Sequence, residues 1–235
     1  MKTIQVVLLT LAAFISSKIC AQDCASYLPF QKGNKIEYSM TDKKDKPSGT
    51  LQYVINDVTK SGSDLLANIT STTNDEKGKQ LSTSTFTYTC NNDGLSIDMK
   101  SMLSDQSMSA YKDMTVKVEG GTMTIPYSAA PGTQLPDATM HMDILNEGKT
   151  FSTIDMKMTN RKVEAKEDVV TAAGTFPCIK ISYDTEMKTE TMGIGIPMVM
   201  KSVTWYSAKV GMVKSESFSK DDKPMGSMIL SGINK

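Results

Sequence analysis

Val203-Thr-Trp-Tyr-Ser-Ala-Lys-Val-Gly-Met-Val-Lys214 is the stretch whose reading decides the fold. Val203 to Tyr206 is a run of β-branched and aromatic residues, the side chains that suit a pleated, half-buried surface. Ser207 to Lys209 is short and polar, and Val210 to Lys214 returns to strand composition. The pattern predicts a β-hairpin in which Trp205, the sole tryptophan, and Met212 help to close an apolar interior. Gly211 has no side chain to pack and marks a bulge or a close backbone approach.

The same grammar extends in both directions. Lys35 to Thr41 and Thr50 to Val58 flank the polar connector Asp42 to Gly49, and Leu65 to Thr73 and Leu81 to Cys90 flank Asp75 to Lys79. Met114 to Val118 and Thr122 to Tyr127 read as a further hairpin, with Gly120 and Gly121 supplying its positive φ. Ala138 to Leu145, Thr150 to Thr159, Lys162 to Val170 and Phe176 to Thr185 continue the series. Met198 to Tyr206, Val210 to Ser219 and Met228 to Ile233 complete it. Met99 to Lys112, apolar at Met99, Met102, Leu103 and Ala110, is the best helix candidate after the leader. About a dozen short strands with turn signals between them predict an all-β fold. A flat sheet of that many strands would leave long unpaired edges, so the expected form is one curved, partly closed antiparallel sheet. A β-roll or half-barrel with at most one short helix fits.

The chain opens Met1-Lys2, runs apolar from Ile4 to Ile15 and reaches Ala21 through Ser16-Ser17-Lys18-Ile19-Cys20. This is the layout of a secretory signal, too short to span a bilayer. Cleavage is expected after Ala21, leaving residues 22–235 as one β domain in the periplasm or outside the cell. Lipid attachment is disfavoured, because neither Cys20 nor Cys24 follows the small, uncharged residues it needs. Charge is balanced, with 26 basic and 26 acidic residues, and Arg161 is the sole arginine. Nucleic-acid binders carry a basic excess rich in arginine, so that class is set aside.

Beyond the leader remain Cys24, Cys90 and Cys178. An oxidising compartment favours one disulfide. Cys24–Cys90 is the preferred pair, tying the N-terminal arm to a strand end, and closing a loop of that length contributes about 4 kcal/mol in the chain-entropy model. Cys178, at a strand start, reads as a buried, inert thiol. A nucleophilic thiol needs a base, and the chain has one histidine, His141.

Seventeen of the 18 methionines lie beyond Met1, several in alternation: Met140-x-Met142, Met156-x-Met158 and Met198-x-Met200. Residues i and i+2 of a strand share a face, so each pair points one way. The pairs could fill an irregular core, or line an adaptable apolar pocket. A copper(I) site on Met140, His141 and Met142 fails, because His141 alternates to the opposite face. No phosphate loop, zinc spacing or nucleophile elbow is present, and Gly193-Ile-Gly195 is strand or loop punctuation. The expectation is a non-enzyme without metal or cofactor.

Two stretches carry a family resemblance. Asp168-Val-Val-Thr-Ala-Ala-Gly-Thr-Phe-Pro-Cys-Ile-Lys-Ile181 resembles a "Thr-Val-Pro-Ala-Gly-Thr-Phe-x-Cys-x-Lys-Val" turn, and Trp205 to Lys214 resembles a "Trp-Tyr-Ala-x-Gly-Val-Gly-Leu-Val-Lys" hairpin. Both are similar to exported β-proteins of the TapB family, akin to the uncharacterised DUF3108 domain. Cys24 to Pro29 and Cys90 to Met102 are similar to that family's opening and middle segments. Here Ala172 stands for the usual proline, and Ala208-Lys209 for the usual glycine approach. The resemblance implies an envelope location and a curved antiparallel sheet, and carries no catalytic residues.

The expected function is a binding module for an apolar or amphipathic ligand, lipid or peptide. Its lining would be Met140, Met142, Met156, Met158, Met198, Met200, Trp205 and Met212. The alternative is an assembly factor that grips another envelope protein through sheet edges.

Overall fold

The computed structural model describes Cys24, residues 27–103 and residues 108–234. The expected leader and its cleavage point lie outside the described residues. Strands are β1 (Lys35–Asp42), β2 (Pro47–Ser61), β3 (Asp64–Asp75), β4 (Gln80–Asn91), β5 (Gly94–Asp98), β6 (Thr115–Gly120) and β7 (Thr122–Ile125). The second half supplies β8 (Ala138–Asn146), β9 (Lys149–Thr171), β10 (Gly174–Thr191), β11 (Ile194–Ser207), β12 (Gly211–Ser219) and β13 (Pro224–Asn234). They form a 13-stranded antiparallel sheet in the order β6-β8-β9-β10-β11-β12-β13-β1-β2-β3-β4-β5-β7. The sheet curls until it is nearly a closed barrel, as the all-β reading required.

Closure happens at two glycines. β6 pairs with β8 and β7 pairs with β5, so Gly120-Gly121 is not the turn of a hairpin. It is where one run of chain leaves the first edge of the sheet and joins the last. The Gly121 N–H donates to the Thr139 carbonyl at 2.8 Å, and the Gly121 carbonyl accepts from Met99 N–H at 2.6 Å. Both glycines do take positive φ, +70° and +97°. A local turn signal cannot distinguish a strand that folds back from one that changes partners.

The polar connectors turn by one shared device. Asp42 accepts from the N–H groups of Lys44 and Lys46 at 2.8 and 3.0 Å, and Asp75 does the same for Lys77 and Lys79, each at 2.9 Å. An aspartate that binds its own backbone two residues on holds the turn locally. Two expected strands, Thr150 to Thr159 and Lys162 to Val170, are halves of the 23-residue β9, bent at Asn160 where φ is +53°. Asparagine tolerates that conformation, so the strand bends and continues. Of the expected helix from Met99 to Lys112, the described residues form a 3-10 turn, Met99–Met102, and a helical turn at Met108 and Ser109; the 3-10 turn is capped by Asp98, whose carboxylate accepts from Lys100 N–H at 2.9 Å. The scattered apolar residues of that segment give no continuous helical face to bury.

Cys24 and Cys90 form the expected disulfide, with Cα atoms 5.9 Å apart. One end of the interior is aromatic. Tyr38, Tyr53, Phe86 and Tyr88 meet edge to face or tilted with ring centres 5.1–5.4 Å apart, and Tyr38 hydroxyl donates to the Met212 carbonyl at 2.9 Å. The other region, under β8 and β9, is aliphatic and rich in methionine. Among the described residues no helix is long and apolar enough to cross a membrane.

Candidate functional site

Directly opposed residues of an antiparallel ladder share a face, so the register shows what each methionine stands beside. Met140 of β8 opposes Met156 of β9, Met156 opposes Met187 of β10, and Met187 opposes Met198 of β11. One row of four methionines therefore crosses four adjacent strands on the inner face. The next row toward the hairpin tips is Met142, Ile154, Thr189 and Ile196; the row behind it is Ala138, Met158, Thr185 and Met200. No inner position in these rows carries a charge.

Burial changes along the row. Met140 is 2% exposed and Met156, Met142 and Met158 are equally enclosed, so these four are packed core. Met187 and Met200 are half-buried, Met198 is 38% exposed and Ile196 is 69% exposed. The reason is in the pairing. β12 reaches only as far as Ser219, opposite Met200, so Ile194–Val199 projects past it and, among the described residues, pairs with β10 alone. The apolar inner face runs out of the core and into solvent on the β10–β11 hairpin. Of the expected lining, the structure brings Met198 and Met200 to this opening.

The reverse side of the same strands is charged. Lys188 pairs with Glu190 at 2.8 Å, and its aliphatic stem lies over Gly195. His141 sits on the outer face, 2.7 Å from Asp155 and 3.5 Å from Asp143, away from Met140 and Met142. Its hydrogen bond to Asp155 raises its pKa, with a smaller contribution from Asp143. Among the described residues no group of three or more His, Cys, Asp or Glu is placed to hold a metal ion.

Trp205 is elsewhere. By strand parity it lies on the face opposite Met198 and Met200, 5% exposed, with the Lys180 and Lys214 ammonium groups 4.9 and 4.6 Å from its ring centre. Its indole N–H donates to Glu167. The tryptophan is buried beneath lysine stems on the outer wall, where a strand-composition argument cannot tell which side is wet. Met212 is half-buried beside Tyr206, at the far end of β11 from the opening.

A separate cavity of about 480 Å³ lies near that far end, lined by Tyr127, Glu167, Asp168, Pro177, Ile179 and Tyr206. Its thiol, Cys178, is buried and its pKa is pushed up to about 12, first by burial and then by the neighbouring Asp168 and Glu167.

Two sets of residues escaped the sequence reading. Met187, Thr189, Ile194 and Ile196 form most of the opening, and their period-two pattern runs straight through Gly195 and Pro197 into Met198. Proline and glycine demote a strand in the interior of a sheet, yet both are tolerated at an edge. Arg161 is the other omission. It is 2% exposed and bridges the seam of the barrel, donating to Thr124 and Pro136 carbonyls at 2.7 and 2.6 Å.

No curated protein matches the sequence. Among solved structures, a Bacteroides fragilis protein named as exported, with a YmcC-like fold, is 22% identical, with a TM-score of 0.68 over 92% of this chain and 100% of its own. A Parabacteroides distasonis protein named as a lipoprotein is 19% identical, with a TM-score of 0.69 over 89% of this chain and 98% of its own. At these identities the likeness is one of fold. The DUF3108-like family profile matches residues 31–230, and the chain belongs to that family.

Proposed function

We propose that this protein is a non-enzymatic binding module of the cell envelope, which holds an apolar or amphipathic chain against the inner face of the β10–β11 hairpin. The observation that carries the reading is the methionine row that begins buried at Met140 and ends exposed at Met198 and Ile196. Soluble proteins seldom leave an apolar face continuous with the core open to water unless something covers it. Methionine suits a face that must fit chains of varied shape, since its side chain is flexible and polarisable. The neutral inner rows favour an alkyl or acyl chain over a charged ligand. An envelope location agrees with the exported and lipoprotein neighbours.

The test is titration of the mature protein with a pyrene-labelled long-chain fatty acid. Saturable uptake is expected, weakened about tenfold or more in Ile196→Asp and Met198→Asp, which bring an unpaired charge to the face. Uptake that never saturates, or that both variants retain in full, would overturn the proposal.

A second reading rests on the free edge of Ile194–Val199, where another protein could add a strand. Pro197 removes one N–H from that edge, which blunts strand addition. Reproducible capture of one envelope protein, lost in Ile196→Asp and unaccompanied by probe uptake, would favour the edge over the face.

A further inference from the structure

The turn that caps the β10–β11 hairpin is unusual for this chain. Among the described residues, five that are not glycine have positive φ: Asp45, Glu147, Asn160, Met192 and Asp222. Four are polar, and Met192, with φ of +51° and 81% of its surface exposed, is the exception. A large apolar residue there has neither backbone preference nor burial to recommend it. It stands next to Ile194 and Ile196, and its N–H donates to the Phe151 carbonyl at 3.3 Å. Two thioethers, Met192 and Met198, thus sit on the apolar opening with open access to solvent. Met140, Met142, Met156 and Met158 are sealed in the core.

We infer that Met192 and Met198 form an oxidation-sensitive site that switches off apolar binding while leaving the barrel intact. The inference rests on the binding reading given above and adds its regulation. The chemical class of modifier is a two-electron oxidant such as hypochlorous acid. In the net reaction one S–O bond forms and the O–Cl bond breaks. Sulfur gives up two electrons and chlorine takes them, leaving methionine sulfoxide, chloride and a proton. The product replaces a flexible apolar group by a polar one on a face with no hydrogen-bonding partner for it except threonine. Because the core thioethers are enclosed, function is lost before structure. Enzymatic reduction of the sulfoxide restores the original group.

Met102 and Met225 supply internal controls, since both are exposed and lie on other elements. The mature protein is treated with limiting hypochlorous acid and quenched. Oxidised positions are then mapped by peptide mass spectrometry, and pyrene fatty acid uptake and thermal melting are measured on the same sample. Met192 and Met198 should convert ahead of the four core methionines. Uptake should weaken about tenfold, the melting curve should hold, and methionine sulfoxide reductase should restore uptake. A Met102→Leu/Met225→Leu protein should stay sensitive. A Met192→Leu/Met198→Leu protein should keep, after treatment, whatever uptake it showed before. Uptake unaffected by sulfoxide at the tip, or core oxidation and melting that precede loss of uptake, overturns this inference alone. Absence of uptake before any treatment overturns it together with the binding reading.

Discussion

Arg161 carries a guanidinium into the barrel wall and, among the described residues, makes no salt bridge there. Its terminal nitrogens hold the Thr124 and Pro136 carbonyls, Nε has no hydrogen-bond partner among the described residues, and burial lowers its pKa. The two carbonyls belong to β7 and to the approach to β8, on either side of the seam. Replacing Arg161 by alanine leaves both unsatisfied and should cost about 3 kcal/mol in urea denaturation, with part recovered by lysine. An unchanged midpoint for the alanine variant would show that the contacts are incidental. The sequence marks this residue as a lone arginine and no more, because its partners are main-chain atoms of distant residues and leave no trace in side-chain spacing. His141 was legible to a greater degree: parity alone put it on the face opposite Met140 and Met142. Its pKa is raised in the folded state, chiefly by Asp155. The protonated form therefore stabilises the fold fully below the pH where a free imidazole titrates, and this contribution disappears as pH rises through the higher folded value. His141→Gln should lower the melting temperature slightly near pH 5 and leave it unchanged near pH 8. Equal shifts at both pH values would remove the charge from the explanation.

At the scale of elements, strands were readable wherever alternation was bounded by turn chemistry, and misread where partner choice was non-local. The segment around Gly120 and Gly121 shows the limit. Two glycines between two strand-like runs are the usual mark of a hairpin, yet here each run pairs with a different edge of the sheet. Gly120 makes this possible by bringing its backbone against β8. A Cβ at that position would stand 2.5 Å from the Thr139 carbonyl oxygen, and its φ of +70° disfavours any side chain. Gly120→Ala should destabilise the protein by about 2 kcal/mol or more, and amide exchange should quicken at β6, β7 and Thr139-flanking positions first. Uniform exchange across all strands would mean that the seam has no separate stability. The opening on β10 and β11 was missed for a different reason. Pro197 and the paired glycines broke the apparent strand, although the alternation Ile194, Ile196, Met198, Met200 continues through them.

For the whole molecule, the disulfide carries the clearest expectation. Cys24 and Cys90 are 66 positions apart, so their bond restrains a large loop of the unfolded chain. Removing it in Cys24→Ser/Cys90→Ser should lower the unfolding free energy by about 4 kcal/mol, with the barrel retained. A loss well under 1 kcal/mol would mean that the denatured chain is already compact in that region. The proposed opening belongs to the methionine-rich end of the interior, away from the aromatic end. The ladder between the first and last strands has its own consequence. Lys35 opposes Asn234, while the seam of the barrel falls near the middle of the chain. Spatially the strands run in a ring, with β6 and β7 exchanged where the ring meets itself. The break between β13 and β1 is thus one of several places at which that ring could be cut. A circular permutant joined from residue 234 to the N-terminal arm, and opened in the connector between β7 and β8, should adopt the same barrel by circular dichroism, with its new termini beside the seam.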